Sequence, residues 1–184
     1  MNRRWSPSAI RWADAAHPAL FDVRVFMSPS FGAGLERNVI AAQALAAIVP
    51  MIGADMGNVQ LLDPVAGGLK IVAQRGFGRQ FLHHFEVVRG GDSICGRAMS
   101  EGRAVLVPDI ERDAILARSS VLAVLTEAGV RTVISAPMFD PAGSTVGMVS
   151  LHYRWVRRLS ANDQHLLELL VQRTARVLLA DRPR

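Results

Sequence analysis

The sequence carries one cysteine, Cys95, and one lysine, Lys70. It has no apolar run near the roughly 18 residues that a membrane-spanning helix needs. A lone cysteine excludes an intrachain disulfide and any cysteine-rich metal cluster. The N-terminal stretch from Met1 to Pro7 is basic, as a signal peptide is, but the apolar middle is missing: Arg11, Asp14, His17 and Pro18 interrupt it. The expected location is the cytoplasm, with no membrane partner. The scarcity of lysine leaves a net charge of +5 that is almost entirely arginine. These arginines are scattered, and the one tight group is Arg154, Arg157 and Arg158 around Trp155. No recognised nucleic-acid module accompanies the charge, so no nucleic-acid partner is expected.

Half of the 184 residues are hydrophobic and 20% are charged, enough to build a sizeable core. One domain with a modest N-terminal extension is the natural reading. Residues 1–33 match no regular pattern, and Pro7, Pro18, Pro29 and Gly32 punctuate them. A short helix near 8–16 and an extended piece near 21–27 are expected there. Helix composition runs from Leu35 to Ile52, with Pro50 in its last turn and Gly53 as a stop. Gly57–Asp63 and Leu69–Gln74 read as a hairpin about the Asp63–Gly68 turn. Arg79–Phe85 reads as a short helix, and Glu86–Val88 as briefly extended. Ser93 is placed to cap a helix through Ser100 that Gly102 stops. Val105–Val107 is a short strand, and Ser119–Ala128 a helix. Thr132–Phe139 and Ser144–Tyr153 form a hairpin about Asp140-Pro141-Ala142-Gly143. Ser160 and Asp163 form a near capping box that opens a last helix to about Ala180.

Hairpins and helices in this order imply an α+β fold with an antiparallel sheet. Several segments carry a family resemblance. They are Gly53–Asp63; Asp92-Ser93-Ile94-Cys95-Gly96-Arg97-Ala98-Met99; Val107-Pro108-Asp109-Ile110; Ala128–Arg131; Ser135-Ala136-Pro137-Met138; and Gly147–His152. In this order and spacing they resemble the GAF domains, small-molecule sensor modules, over about residues 35–181. The last strand reads Ser150-Leu151-His152, where the bacterial group found in front of sensor kinases usually has Ser-Thr-His.

The resemblance implies a GAF/PAS-like central antiparallel sheet. The first and last helices would lie on one face and a ligand pocket on the other. It divides the chain into an extension, 1–33, and a GAF domain, 34–182. No kinase, cyclase or DNA-binding segment follows, so the expectation is a stand-alone sensor or one that acts on a separate signalling protein. A small-molecule ligand of unknown identity is the implied partner. No cofactor is required by the sequence, and haem or another tetrapyrrole is not favoured.

Strand alternation assigns the two faces. Val59, Leu61, Gly147, Val149 and Leu151 belong under the helices; Asn58, Gln60, Ser150 and His152 then face the pocket. Phe81, Phe85, Ile94, Cys95, Met99, Leu122 and Leu125 would lie over it. The predicted ligand-binding set is Asn58, Gln60, Phe81, Phe85, Ile94, Cys95, Met99, Asp109, Ser135, Ser150 and His152. No catalytic or metal-binding residue is assigned.

Other features have plainer readings. Cys95 stands near a helix start, which lowers a thiol pKa, and the GAF-type free methionine sulfoxide reductases carry a cysteine in a similar segment. Their chemistry uses further cysteines that this sequence does not have, and a free cysteine is commonly a small buried hydrophobe. His83 and His84 are adjacent, so on a helix they point about 100° apart and hardly share one metal. Asp109, Glu111 and Asp113 suit capping or solvation. Ser93, Ser135 and Ser150 lack a nucleophile-elbow context.

The two end helices are apolar on more than one face. The second face, with members of Leu166, Leu169, Leu170, Arg173 and Val177, suits a homodimer through helices 35–52 and 160–180. Coverage of that face by residues 1–33 is the alternative. The functional expectation is a regulatory ligand-binding domain. Its competitors are a Cys95-based redox protein and a ligand-free dimerisation module.

Overall fold

A computed structural model describes residues 22–91 and 93–180. Six strands form one antiparallel sheet. They are β1 (Met56–Asp63), β2 (Gly68–Arg75), β3 (Val87–Val88), β4 (Val105–Val107), β5 (Thr132–Phe139) and β6 (Thr145–Tyr153). Their order across the sheet is β3-β2-β1-β6-β5-β4. The two hairpins, β1–β2 and β5–β6, are local. The decisive pairing is β1 with β6, which sets Asn58 opposite Ser150 and Met56 opposite His152.

The helices are α1 (Val23–Met27), α2 (Arg37–Met51), α3 (Arg79–His84), α4 (Ile94–Glu101), α5 (Ser120–Glu127) and α6 (Ala161–Ala180). Helix α2 packs on β1 and β2, α6 on β5 and β6, and the two helices on each other. Beneath them lies an apolar layer that includes Ile40, Leu45, Ile48, Val59, Ile134, Val149, Leu151, Leu167, Val171 and Leu178. A second apolar layer covers the opposite sheet face, built from Leu69, Ile71, Met148, α3, α4, α5 and the loops between them. The chain is therefore an α+β fold of the expected kind, with a sheet between two dissimilar layers.

Local signals in the sequence are met at the caps. Ser93 Oγ accepts from the Gly96 N–H at 3.1 Å, opening α4. Ser160 Oγ accepts from the Asp163 N–H at 3.1 Å, and Asp163 Oδ2 from the Ser160 N–H at 3.3 Å. Both orphan donors at the start of α6 are thereby satisfied.

The extension departs from expectation. The piece near 21–27, expected to be extended, contains the helix α1. Asp22 caps it, its carboxylate accepting from the Arg24 N–H at 2.9 Å. The helix near 8–16 falls outside the described residues. Helix α1 and the turn after it lie against α2 and α6: Phe26 and Phe31 are buried in the same layer as Ile40 and Leu178. Gly32 has φ +91, and a Cβ there would overlap the Val177 side chain. Only glycine lets this segment lie so close to α6. Arg173 secures it, donating from Nη2 to the Ser28 carbonyl at 2.6 Å and from Nε to the Phe26 carbonyl at 3.4 Å. The outer face of the helix pair is thus partly covered from within the chain. Leu170 and Val177 are buried, whereas Leu169 is 52% exposed. Two 3₁₀ turns, Ile110–Arg112 and Leu116–Arg118, occupy what reads as plain loop in the sequence.

Candidate functional site

On the face away from α2 and α6, strands β1, β5 and β6 present Asn58, Gln60, Val133, Ser135, Ser150 and His152 to one small chamber. Phe81, Phe85, Ser93, Ile94 and Cys95 close it from above. The enclosed space is about 20 Å³. Strand alternation explains the floor: residues that flank Val59 and Val149 point away from the helices. The β1–β6 and β5–β6 registers then bring polar side chains together from three strands.

The floor is polar and almost wholly buried. Gln60 is 1% exposed, and Asn58 and His152 are 3% exposed each. Ser135 Oγ and Ser150 Oγ share a hydrogen bond of 2.8 Å. Asn58 Oδ1, Gln60 Oε1 and His152 Nδ1 have no hydrogen-bond partner in the protein. The other buried orphans among the described residues are the Nε atoms of Arg97 and Arg131, whose terminal nitrogens are ion-paired. A buried acceptor left unmatched costs about 1–3 kcal/mol. Three such atoms in one chamber are a standing cost that packing alone does not explain.

The walls are aromatic. Phe77 and Phe81 stack with centroids 3.7 Å apart. The His152 ring meets both edge-on, at 4.9 Å and 5.7 Å. Burial holds the His152 imidazole far below its usual pKa, at about 3, so it is neutral at ordinary pH. The Cys95 thiol sits 3.2 Å from Ser93 Oγ. Burial pushes its pKa up, against smaller lowering effects from Ser93, the backbone at Gly96 and Cys95, and Gln60. The helix N-terminus does not outweigh desolvation here.

Most of the residues predicted from the sequence come together. Met99 and Asp109 do not. Met99 follows Cys95 by one turn of α4, about 6 Å along the axis, and packs into the layer beside the chamber. Asp109 caps a 3₁₀ turn, accepting from the Glu111 N–H at 3.2 Å, and pairs with Arg131 Nη2 at 3.3 Å. Leu122 and Leu125 belong to the same apolar layer without reaching the chamber. Sequence reasoning missed Ser93 and Val133 as lining residues. Val133 lies two residues from Ser135 on β5, so the same alternation would have found it. Ser93 carries a capping signal in the sequence, and its place at the helix start also turns it to the chamber. Phe77, between two glycines, has no periodic signal.

Gly96 has a distinct role. A Cβ at this position would overlap the Gly90 carbonyl oxygen. The first turn of α4 can lie against the Gly90-Gly91 loop only without a side chain there. His83 and His84, on α3, are both exposed. Among the described residues no group of His, Cys, Asp or Glu side chains is placed to hold a metal ion, and no helix is long and apolar enough to cross a membrane. A larger depression of about 580 Å³ lies at the β5–β6 turn and the end of α6, lined by Phe139, Pro141, Gln172, Arg176 and Leu179 among others. It is open to solvent.

A central antiparallel sheet, the first and last long helices on one face, and a closed chamber on the other define a domain of GAF/PAS-like architecture. A sequence model of the GAF domain matches residues 35–178, and the chain belongs to that family. No significant sequence match was found among curated proteins. Solved structures share the fold. A domain of a two-component sensor histidine kinase protein from Sinorhizobium meliloti superposes with a TM-score of 0.67 at 14% identity, over 80% of this chain and 93% of that one. The GAF domain of a phosphoenolpyruvate-protein phosphotransferase from Coxiella burnetii gives 0.68 at 11% identity, over 86% and 92%. The free methionine-R-sulfoxide reductase from Neisseria meningitidis, in complex with its substrate, gives 0.68 at 19% identity, over 89% and 88%. At such identities the likeness concerns the fold alone.

Proposed function

We propose that this GAF domain is a regulatory module that binds a small molecule in the chamber over β1, β5 and β6. Asn58, Gln60, Ser135, Ser150 and His152 hydrogen-bond the ligand, and Phe81, Phe85, Ile94 and Cys95 wall it. The observation that carries this reading is the convergence of three buried, unmatched polar atoms on one chamber. Ligand binding would shift the sheet and, through it, the packing of α2 and α6. Those helices and the α1 segment would meet a second copy or a separate signalling protein. A cytoplasmic setting suits the single free thiol.

A sulfoxide-reductase-like activity draws support from the fold likeness and from the place of Cys95 in the chamber wall. Burial that disfavours the thiolate argues against it. So does the lack of a second cysteine to resolve a sulfenic acid within the chain. The regulatory reading is therefore preferred.

Native mass spectrometry of the purified chain tests it. A discrete mass above that of the chain, or of twice the chain, supports the reading and gives the ligand's size. That excess should be lost or much reduced in His152→Ala, with the fold retained. A bare protein under all gentle conditions would move the weight to a ligand-free interaction module.

A further inference from the structure

We infer that the chamber is built for an uncharged ligand presenting an amide-type edge, a lactam, carboxamide or small nitrogen heterocycle. The inference rests on the proposed binding role of the chamber and names the chemistry of its ligand. Among the described residues that line the chamber there is no aspartate, glutamate, lysine or arginine. Arg97, on the same helix as Cys95, is committed to Asp113 at 2.9 Å. Arg131 is committed to Asp109 and Glu111. A carboxylate or phosphate in the chamber would thus be buried without a counter-charge, which is strongly unfavourable. The neutral His152 ring supplies no cation either.

What the chamber does offer is two carboxamides side by side on β1. Asn58 and Gln60 each hold an acceptor and a donor group on one planar end. Their unmatched atoms, with His152 Nδ1, face the same space. The unmatched atoms of both carboxamides are oxygens, so the ligand must bring N–H donors to them, and its adjoining C=O can accept from a serine hydroxyl on the same floor. The paired hydroxyls of Ser135 and Ser150 can turn to donate or accept. The Phe81 and Phe85 rings suit a planar ligand.

The space of about 20 Å³ is close to that of one water molecule, so a ligand must displace the cover. Helix α3 is suited to this. It has six residues and its His83 and His84 are exposed, and its outward movement must stretch or break the hydrogen bond from Gln80 Nε2 to Glu127 on α5, 2.6 Å. A limited outward movement would draw Phe81 and Phe85 back from the polar floor and leave their rings as the roof over a planar ligand.

Matched probe pairs test the charge requirement on the full chain near neutral pH: nicotinamide against nicotinate, uracil against orotate, benzamide against benzoate. Binding is read from the Met56 and Met148 methyl resonances, whose side chains lie in the layer around the chamber. The expected result is that the neutral member of at least one pair binds about tenfold or more tightly than its ionised partner. That preference should vanish in Asn58→Leu and in Gln60→Met, the second variant guarding against misfolding of the first. An ionised member that binds as well or better in every pair that binds overturns the ligand class while leaving the chamber as a binding site. If no probe moves these resonances at millimolar concentration, both the ligand class and the binding role fail, and the chamber is a water-sized gap.

Discussion

Asn58 stands in the middle of a central strand where a leucine would pack without an orphaned acceptor. Its Oδ1 is buried and unmatched, a cost of about 1–3 kcal/mol. Asn58→Leu is therefore expected to raise the stability of the chain by about 1 kcal/mol, read by urea denaturation, while abolishing ligand binding. A loss of stability would show that Asn58 is satisfied in solution and would weaken its assignment to a binding role. His152 gives a pH signature. Its folded pKa of about 3 lies below the usual 6.5, so the unfolded chain binds the extra proton first. The stability that this histidine contributes is present above about pH 6.5 and is lost as pH falls from there toward 3. One pKa unit corresponds to about 1.4 kcal/mol, so the full effect amounts to several kcal/mol. Denaturant titrations at stepped pH should show a weaker acid sensitivity in His152→Gln than in the parent chain. Identical slopes would mean that the imidazole is protonated or solvated when folded.

At the scale of elements, α4 and the Gly90-Gly91 loop act as one wall. Their close approach depends on the bare Cα of Gly96. Gly96→Ala is expected to cost at least about 1–3 kcal/mol by overpacking, despite the better helix propensity of alanine. Because the relief lies in moving α4 outward, ligand affinity should fall in the same variant. Thermal unfolding together with a binding titration checks both. An unchanged melting temperature would show that the loop gives way freely. The helix α1 is the second element of consequence. Phe26 is fully buried between α2 and α6, so Phe26→Ala should cost about 3–5 kcal/mol in equilibrium unfolding. A cost near zero would mean that the segment detaches from the helix pair in solution.

For the whole molecule, the helix pair is expected to meet a second copy. Residues 22–34 occupy part of the face, and Leu169, Val39 and Met27 remain exposed on or near it. Light scattering on a sizing column is expected to give twice the chain mass of 20.0 kDa. Leu169→Arg should return the chain to a monomer without lowering its melting temperature, since Leu169 is half-exposed in the single chain. A parent protein that runs as a monomer would remove the helical dimer from the signalling proposal and leave a separate partner protein as the receiver.

Much of this molecule is local enough to be read in its residues. Alternation about Val59 and Val149 told which side chains of β1 and β6 turn away from the helices, because a strand has a strict period of two. Ser93, Gly102 and the Ser160/Asp163 pair marked helix ends, because capping is a matter of three or four neighbouring residues. The polar floor of the chamber followed from these local rules together with the family resemblance. What only the tertiary structure decided is everything set by distance between remote segments. The β1–β6 register placed Asn58 against Ser150. The placement of α4 set Cys95 at the chamber and left Met99 one helical turn beyond it. Ion pairing drew Asp109 to Arg131 and away from the ligand site. The volume of the chamber and the fit of α1 against α6 depend on packing at the scale of a single methyl group, and no pattern of hydrophobic and polar letters specifies that.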